Sequence, residues 1–587
     1  MKFFYFLFRT KKLIPMIVGI VVLLIAQAYS EMMLPRYMSD IVDVGIMQIS
    51  REGGTQAQVL AYMKDTGMQM LLFTLISIVC SILVGLFASL VAASVGRRLR
   101  RESFEHIMAF SNAEMDRFSP ASLITRCTND IQQIQMAMVM FLRMVLFAPA
   151  MAVGGIIMVM RTDTGLSWII VVAVICLAAV IGLLFGITMP KFKRMQPLVD
   201  DVNLVSREIL TGLPVIRAFC REDFERVRFD GANTELYKTQ LFVNRAMSLF
   251  FPAIMVIMNV VGAGVVWFGG KGVDAGQMQV GDLMAFISYA MFIVMSFMML
   301  SMVTIMLPRA SVAADRVAEV IATDSSIVDP ITKTAPAVSD GRVVFEDVSF
   351  RFHDAGEDTL SHISFACEPG QTTAVIGGTG SGKSTLVHLI PRLFDVTGGR
   401  ITVGGVDVRD LPQKELRARI GFVPQKGVLF SGTIESNLKY AGPQVTDEDM
   451  RRAASVAQAA DFIEEKEGGY ESAVAQGGSN VSGGQRQRLA IARALAAQPP
   501  ILIFDDSFSA LDFRTDAALR KALAREAGGA TVLIVAQRIA TILRADKILV
   551  LDEGRIVGEG THKELMETCE VYREIAASQL SAEELSA

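Results

Sequence analysis

The sequence predicts a multidomain chain: an all-α domain of six membrane-spanning helices, followed by an α/β domain built to hold a nucleotide triphosphate. Three observations carry this expectation. Long apolar segments fill the first half and stop after Arg309. A glycine loop ending in Gly-Lys-Ser-Thr follows a short apolar run, Thr373-Ala374-Val375-Ile376. A second apolar run, Ile501-Leu502-Ile503-Phe504, ends in two carboxylates, Asp505 and Asp506. The expected limits are 1–320 for the membrane domain, 321–340 for a linker and 341–587 for the nucleotide domain.

Composition agrees with this division. The chain has 587 residues, more than one compact domain uses, and 52% of them are hydrophobic. Mean hydropathy is +0.42, above the level of a soluble enzyme. A net charge of -4 offers no strongly basic face, so nucleic acid is not expected as a partner. The six cysteines (Cys80, Cys127, Cys176, Cys220, Cys367 and Cys569) form no C-x-x-C pair. Neither a zinc site nor a disulfide framework is therefore expected. Lys2, Arg9, Lys11 and Lys12 precede an apolar segment in the manner of a signal peptide. That segment is too long for a signal's apolar core, and no A-x-A site follows, so it reads as a retained first span.

Six segments are long enough for about 30 Å of hydrocarbon. They run from Leu13 to Pro35, Met68 to Val95, Met136 to Met160, Ser167 to Met189, Met247 to Phe268 and Leu283 to Leu307. Arg97, Arg98, Arg100 and Arg101 close the second, Lys191, Lys193 and Arg194 the fourth, and Arg309 and Arg316 follow the sixth. The opposite loops hold little beyond Arg51, Lys64, Arg161 and Lys271. The positive-inside rule then puts both termini and the nucleotide domain in the cytoplasm, with the chain in the inner cell membrane.

The connections Arg97 to Gln135 and Lys191 to Arg245 lack strand alternation and read as helical arms beyond the bilayer, reaching a cytoplasmic domain. Breaks are expected at Phe118-Ser119-Pro120-Ala121-Ser122 and at Thr211-Gly212-Leu213-Pro214. Met291, Met295, Met298, Met302 and Met306 share one face of the sixth span. Such a stripe either packs against neighbouring helices and lipid or lines an adaptable cavity. Arg143 reads first as a snorkelling interfacial cation and second as a substrate ligand, and Asn259 as interhelical glue.

Thr332-Lys333-Thr334-Ala335-Pro336 has linker composition. Val343-Val344-Phe345 and Val348-Ser349-Phe350 are expected as early strands, and Arg400 to Val406 as another with a Gly404-Gly405 turn. The central motif is Gly377-Gly378-Thr379-Gly380-Ser381-Gly382-Lys383-Ser384-Thr385, with Leu386 to Ile390 opening a helix. Strand, glycine loop and helix start together make a phosphate-binding P-loop rather than a chance glycine turn. Glycines let backbone N–H groups point inward, and the helix N-terminus adds unpaired donors. In such loops Lys383 reaches the β/γ-phosphates of ATP, Ser384 ligates Mg²⁺, and Asp505 at the second strand end holds the metal shell.

Asn480-Val481-Ser482-Gly483-Gly484-Gln485 precedes a helix, and Ser509-Ala510-Leu511-Asp512 follows the acidic strand end. P-loop, V-S-G-G-Q, F-D-D and S-A-L-D in this order resemble the nucleotide-binding domain of an ABC transporter. Six spans with long arms resemble the membrane half of an ABC exporter, so the resemblance covers nearly the whole chain. It implies that Phe352 stacks on adenine, where the family usually has Tyr. It implies that Gln425 senses Mg²⁺ and faces the arms, and that Asp512 lies at a dimer seam. Ser482, Gly483, Gly484 and Gln485 would cap the γ-phosphate of ATP held by a second half-transporter. With one nucleotide domain per chain, a working unit needs two chains.

Departures from the family pattern fall on hydrolysis. After Asp505 the family places Glu to polarise the attacking water, and here stands Asp506, one methylene shorter. Where the family has a γ-phosphate-contacting His, this chain has Gln537; its histidines are His106, His353, His362, His388 and His562. Gln donates a hydrogen bond but carries no imidazolium charge. Gln476, where exporters often carry Glu, is a milder change. This pattern resembles the degenerate-site subunit of heterodimeric bacterial multidrug-type exporters. The alternatives are a slow homodimer, an exporter-like importer, and a nucleotide-gated channel or sensor. A soluble ABC ATPase is disfavoured by the six spans.

Overall fold

The computed structural model describes residues 2–9, 11–49, 52, 55–162, 165–330, 338, 340–353, 355–526 and 528–580, with the side chains of 8, 11 and 301–306 excepted. Arg51 and the Thr332–Pro336 linker lie outside the described residues, as do the side chains of Met302 and Met306. Two compact units emerge: Met1–Met108 with Ala121–Thr323, and Ala109–Pro120 with Asp324–Ala587.

The described residues of the first unit form helices and the turns between them. Its spans lie within Ile14–Gln48, Gln56–Ala109, Pro120–Arg161, Ser167–Ala218, Glu222–Asp274 and the helix Val280–Ala322. Several far exceed a bilayer: the 54 residues of Gln56–Ala109 extend about 80 Å at 1.5 Å per residue. Outward faces carry exposed Leu71, Ile82, Ile175 and Leu183, the composition that lipid accepts. Inward faces interlock. Val84, Ala88, Val91, Ala92 and Val95 recur at helical spacing and pack with Ile131, Ile134, Met138, Ala314 and Val317. Small residues bring helices close; a Cβ on Gly155 would stand 2.8 Å from Ile293 Cγ1. Near one end of the first and sixth spans, the Tyr289 hydroxyl donates to the Met32 carbonyl at 3.2 Å, and Gly281 N–H donates to Asp43 Oδ1 at 2.6 Å.

The first arm breaks where expected, at Ser119, whose φ of +58° separates helices Asn112–Phe118 and Pro120–Thr125. The second does not break at Thr211–Pro214. Helix Ser167–Ala218 runs through Pro190, Pro197 and Pro214, and the chain turns instead at Cys220, with φ +51°. Each proline forfeits one backbone bond and crowds the preceding turn. A left-handed residue reverses the chain outright, and Glu222, Asp223 and Glu225 then favour a new helix start. Glycine usually signals such a turn; cysteine gives no signal. Among the described residues Asn259 bonds no other helix: its amide donates to Met255 O in its own helix at 2.9 Å. The methionine stripe divides, with Met291 and Met295 exposed and Met298 packed beside Leu177, Ile254 and Val294.

The second unit holds the strands. A six-stranded sheet runs β12-β11-β3-β10-β9-β6, comprising β3 (Thr372–Gly377), β6 (Ile420–Val423), β9 (Ile501–Asp505), β10 (Thr531–Val535), β11 (Lys547–Asp552) and β12 (Arg555–Gly560). Every pairing in it is parallel except β11 with β12. Burial on both faces explains the continuous apolar text of β9 and β10. A second, antiparallel sheet pairs β2 (Leu360–Cys367), β1 (Val343–Phe350), β4 (Gly398–Val403) and β5 (Val406–Asp407), and a short ribbon pairs β7 (Gly432–Thr433) with β8 (Ala473–Val474). The two expected early strands are one strand, β1, with a register shift beside Asp347, φ +51°. Gly404 and Gly405 turn β4 into β5 with φ of +55° and +83°. Residues Ala109–Pro120 join this unit through Glu114, whose carboxylate accepts from Ser111 N–H at 2.8 Å and Ser326 N–H at 3.2 Å.

Candidate functional site

Parallel strands deliver their C-terminal ends to one edge of a sheet, where loops and helix starts gather. Here β3 and β9 both flank β10, so the P-loop and Asp505 arrive at the same edge two strands apart. The P-loop's shape depends on glycine at defined points. A Cβ on Gly377 would run into the Leu551 carbonyl oxygen, and one on Gly382, at φ +95°, would stand 2.7 Å from Leu360 Cδ2. Gly378 and Gly380, by contrast, face space free of other atoms, which is where a phosphate chain needs backbone access.

Helix Lys383–Leu389 starts directly after Gly382. Lys383 folds back across the loop, its Nζ donating to Gly377 O at 2.9 Å and Gly378 O at 2.6 Å. Burial lowers its pKa, while Asp506 and Asp505 act in the opposite sense. Ser384 Oγ donates to Asp505 Oδ1 at 2.8 Å. That hydroxyl–carboxylate pair at the loop's edge is the hard-oxygen donor set Mg²⁺ prefers, so these residues fit a magnesium–nucleotide pair. His388 Nε2 stands 3.5 Å from the other Asp505 oxygen and packs edge-on to Phe422. No motif in the sequence marks His388 for this position.

Asp506 is held through both its backbone and its side chain. Its φ is +46°, and its N–H donates to Val535 O at 3.0 Å. One oxygen, Oδ2, accepts from both Gln537 Nε2 at 2.8 Å and Gln425 Nε2 at 3.1 Å. Burial raises its pKa; the Gln425 and Ser509 bonds oppose that, and Asp505 adds to it. The carboxylate is thus clasped by amides from two different loops.

Ser482 caps helix Gly483–Ala496 in a reciprocal box: Gln485 N–H donates to Ser482 Oγ at 3.2 Å, and Ser482 N–H to Gln485 Oε1 at 3.1 Å. Ser482 and Gly483 are exposed, no atom crowds a Cβ at Gly483, and a Cβ on Gly484 would stand 3.4 Å from Ala510 O. The Ser482–Gln485 turn therefore abuts the segment leading to Asp512. That carboxylate caps the next helix, accepting from Thr515 N–H at 2.9 Å and Thr515 Oγ1 at 2.8 Å, which together lower its pKa. Among the described residues, no hydrogen bond joins Ser482–Gln485 or Asp512 to the cluster around Lys383 and Asp506. Phe352 is 37% exposed and stands edge-on to Phe350 and Phe394, leaving ring surface free. Gln476 opens a short turn carried by Gly477 and Gly478 at positive φ.

One residue that supports the site carries no recognisable motif. Gln487, buried in the signature helix, accepts from Gly427 N–H at 2.9 Å and donates to Pro424 O at 3.2 Å. It fastens the loop bearing Gln425 to helix Gly483–Ala496. A glutamine on the apolar face of that helix, between buried Val481 and Leu489, was the available signal.

Comparison with known proteins matches this geometry. The ABC transporter transmembrane region model covers residues 16–297, and the ABC transporter model covers 360–509. An uncharacterized ABC transporter ATP-binding protein of Mycobacterium tuberculosis is 42% identical over 564 residues, 95% of each chain. This chain belongs to the ABC transporter family. The transporter is also 34% identical over 506 residues to an ATP-dependent lipid A-core flippase of Hahella chejuensis, 85% of each chain. A solved bacterial Atm1-family ABC exporter with ATP bound superimposes with a TM-score of 0.79 at 25% identity, covering 97% of this transporter and 99% of that chain. The transporter is an ATP-driven exporter subunit with a membrane domain fused to its ATPase domain.

Proposed function

We propose that this chain is the hydrolysis-impaired half of a heterodimeric exporter in the inner cell membrane, with both termini and the nucleotide domain cytoplasmic. Residues 1–320 form its membrane domain, 321–340 the linker and 341–587 the nucleotide-binding domain. Its own P-loop, with Lys383 and Ser384, binds ATP; Phe352 carries the adenine. Ser384, Asp505 and Gln425 hold Mg²⁺, which neutralises phosphate charge when bound. Ser482–Gln485 completes the competent site of a different partner chain, and Asp512 lies along the seam.

The observation that supports this reading most is the clasped Asp506. A water-orienting carboxylate must reach its water, and this one is a methylene short and already accepts two amide bonds at Oδ2. Gln537, in place of a charged imidazole, adds to the restraint and offers no cationic support to the γ-phosphate. ATP closes the nucleotide domains only through its greater affinity for the closed dimer.

The test is the Mg-ATPase rate of this chain purified alone, beside the same chain co-expressed with a candidate partner half. Negligible turnover alone and strong turnover together are expected. Robust turnover alone would replace the heterodimer with a homodimer in which Asp506 and Gln537 are competent.

A further inference from the structure

We infer that Gln579 is a positioning residue for the nucleotide site: its amide fixes the turn that presents Gln537 to Asp506. The inference deepens the reading of Asp506 as a clasped carboxylate and rests on it for the direction of the rate change. Strand β10 ends at Val535, and after Ala536, whose N–H donates to Val375 O at 3.0 Å, the chain leaves the sheet. The short helix Ile539–Ile542 then begins. A helix start leaves N–H groups without intrahelical partners, and Ser, Thr, Asn or Asp at the N-cap normally accepts from one. Here the N-cap is Arg538, whose guanidinium carries only donors. Gln579 supplies what Arg538 cannot. Its Oε1 accepts from Ile539 N–H at 2.8 Å, and its Nε2 donates to Gln537 O at 2.9 Å. One planar amide therefore bonds the backbone on both sides of Arg538, which restricts rotation of the turn that carries Gln537.

Gln579 ends helix Glu570–Gln579, and that helix is itself anchored. Tyr572 and Ala576 are fully buried in the core that contains Ile539 and Ile542, and the Tyr572 hydroxyl stands 2.8 Å from His562 Nδ1. The far end of the turn is held as well. Arg520, paired with buried Asp516 through two bonds of 3.1 Å, donates to Ala540 O at 3.0 Å and Thr541 O at 3.3 Å. Between these two holds, Gln537 Nε2 reaches Asp506 Oδ2 at 2.8 Å. Arg520 grips residues beyond Gln537, whereas Gln579 grips Gln537 itself, so the contact with Asp506 should feel the loss of Gln579 first. Gln579 thus acts through the backbone of Gln537 rather than on the nucleotide.

The test uses the full transporter complex, with a Glu→Gln change at the partner's catalytic position, so that single-turnover hydrolysis of MgATP reports this chain's site. Gln579→Met keeps the side chain's length and removes both bonds. It should raise the rate about threefold to tenfold, the range one net hydrogen bond supplies, with MgATP affinity unchanged. In a Gln537→Ala background the same substitution should change the rate by less than about 1.5-fold, because the two residues act as one unit. An equal change in both backgrounds would show an effect on packing alone and overturn the proposal, as would an unchanged, measurable rate in the first. A fall in rate that vanishes in the Gln537→Ala background would uphold the positioning role and refute the clasp, since Gln537 would then assist hydrolysis. Hydrogen exchange of residues 537–539 in the nucleotide-free complex gives a second reading that needs no turnover. Gln579→Met should speed it about tenfold, while Gln537→Ala, which leaves both backbone bonds in place, should not. Unchanged exchange in Gln579→Met would overturn the proposal.

Discussion

If the clasp on Asp506 limits hydrolysis, lengthening the carboxylate while removing one clasp should restore the site. Asp506→Glu adds one C–C bond, about 1.5 Å of reach, and Gln537→His replaces one of the two amides at Oδ2 with a ring able to carry charge. Misplacement of a positioning group by about 1 Å costs on the order of 10²-fold in rate, or about 2.7 kcal/mol in barrier. The double variant should recover roughly that factor at this site. Asp506→Glu alone should recover less, because Gln425 and Gln537 still hold the carboxylate. In the proposed heterodimer total steady-state ATPase is a poor readout, since the partner's competent site would already turn over and the gain would be at most about twofold. The informative assay is single-turnover hydrolysis of labelled ATP in complex whose partner carries a Glu→Gln change at its own catalytic position. There the signal comes from this chain's site. A gain below about threefold with nucleotide affinity unchanged would refute the clasp as the limiting feature.

Other predictions follow from the same geometry. Gly483→Asp, introduced where no atom of this chain crowds it, should fold normally yet lower total ATPase of the complex more than Lys383→Ala does; the reverse ranking in a Mg-ATPase assay would contradict the assignment of sites. Gly377→Ala drives a Cβ into the Leu551 carbonyl and should abolish ATP binding with loss of the nucleotide domain's fold, read by equilibrium dialysis and thermal melting. Gln487→Leu leaves Gly427 N–H and Pro424 O unpaired and should destabilise by about 1–3 kcal/mol, visible as a lower melting temperature in detergent.

Much of this molecule was legible because its constraints are local or periodic. Membrane thickness fixes the length of an apolar span, so the six spans could be read without neighbours. A phosphate loop needs glycines at fixed offsets followed by Lys and Ser, and the loop Gly377–Ser384 formed where that pattern stands. The Gly404-Gly405 turn and the Ser482–Gln485 cap were legible for the same reason, since backbone conformation there depends on one or two residues.

What required the tertiary structure were relations between distant residues. The sequence identified Asp506, Gln425 and Gln537 separately; only the convergence of β9, β10 and the loop after β6 places both amides on one carboxylate oxygen. The turn at Cys220 was invisible because a left-handed residue without glycine is imposed by its surroundings, whereas the prolines that seemed to promise a break were absorbed by a continuing helix. Residue types and spacing determined which groups this protein possesses; the fold decided which of them meet.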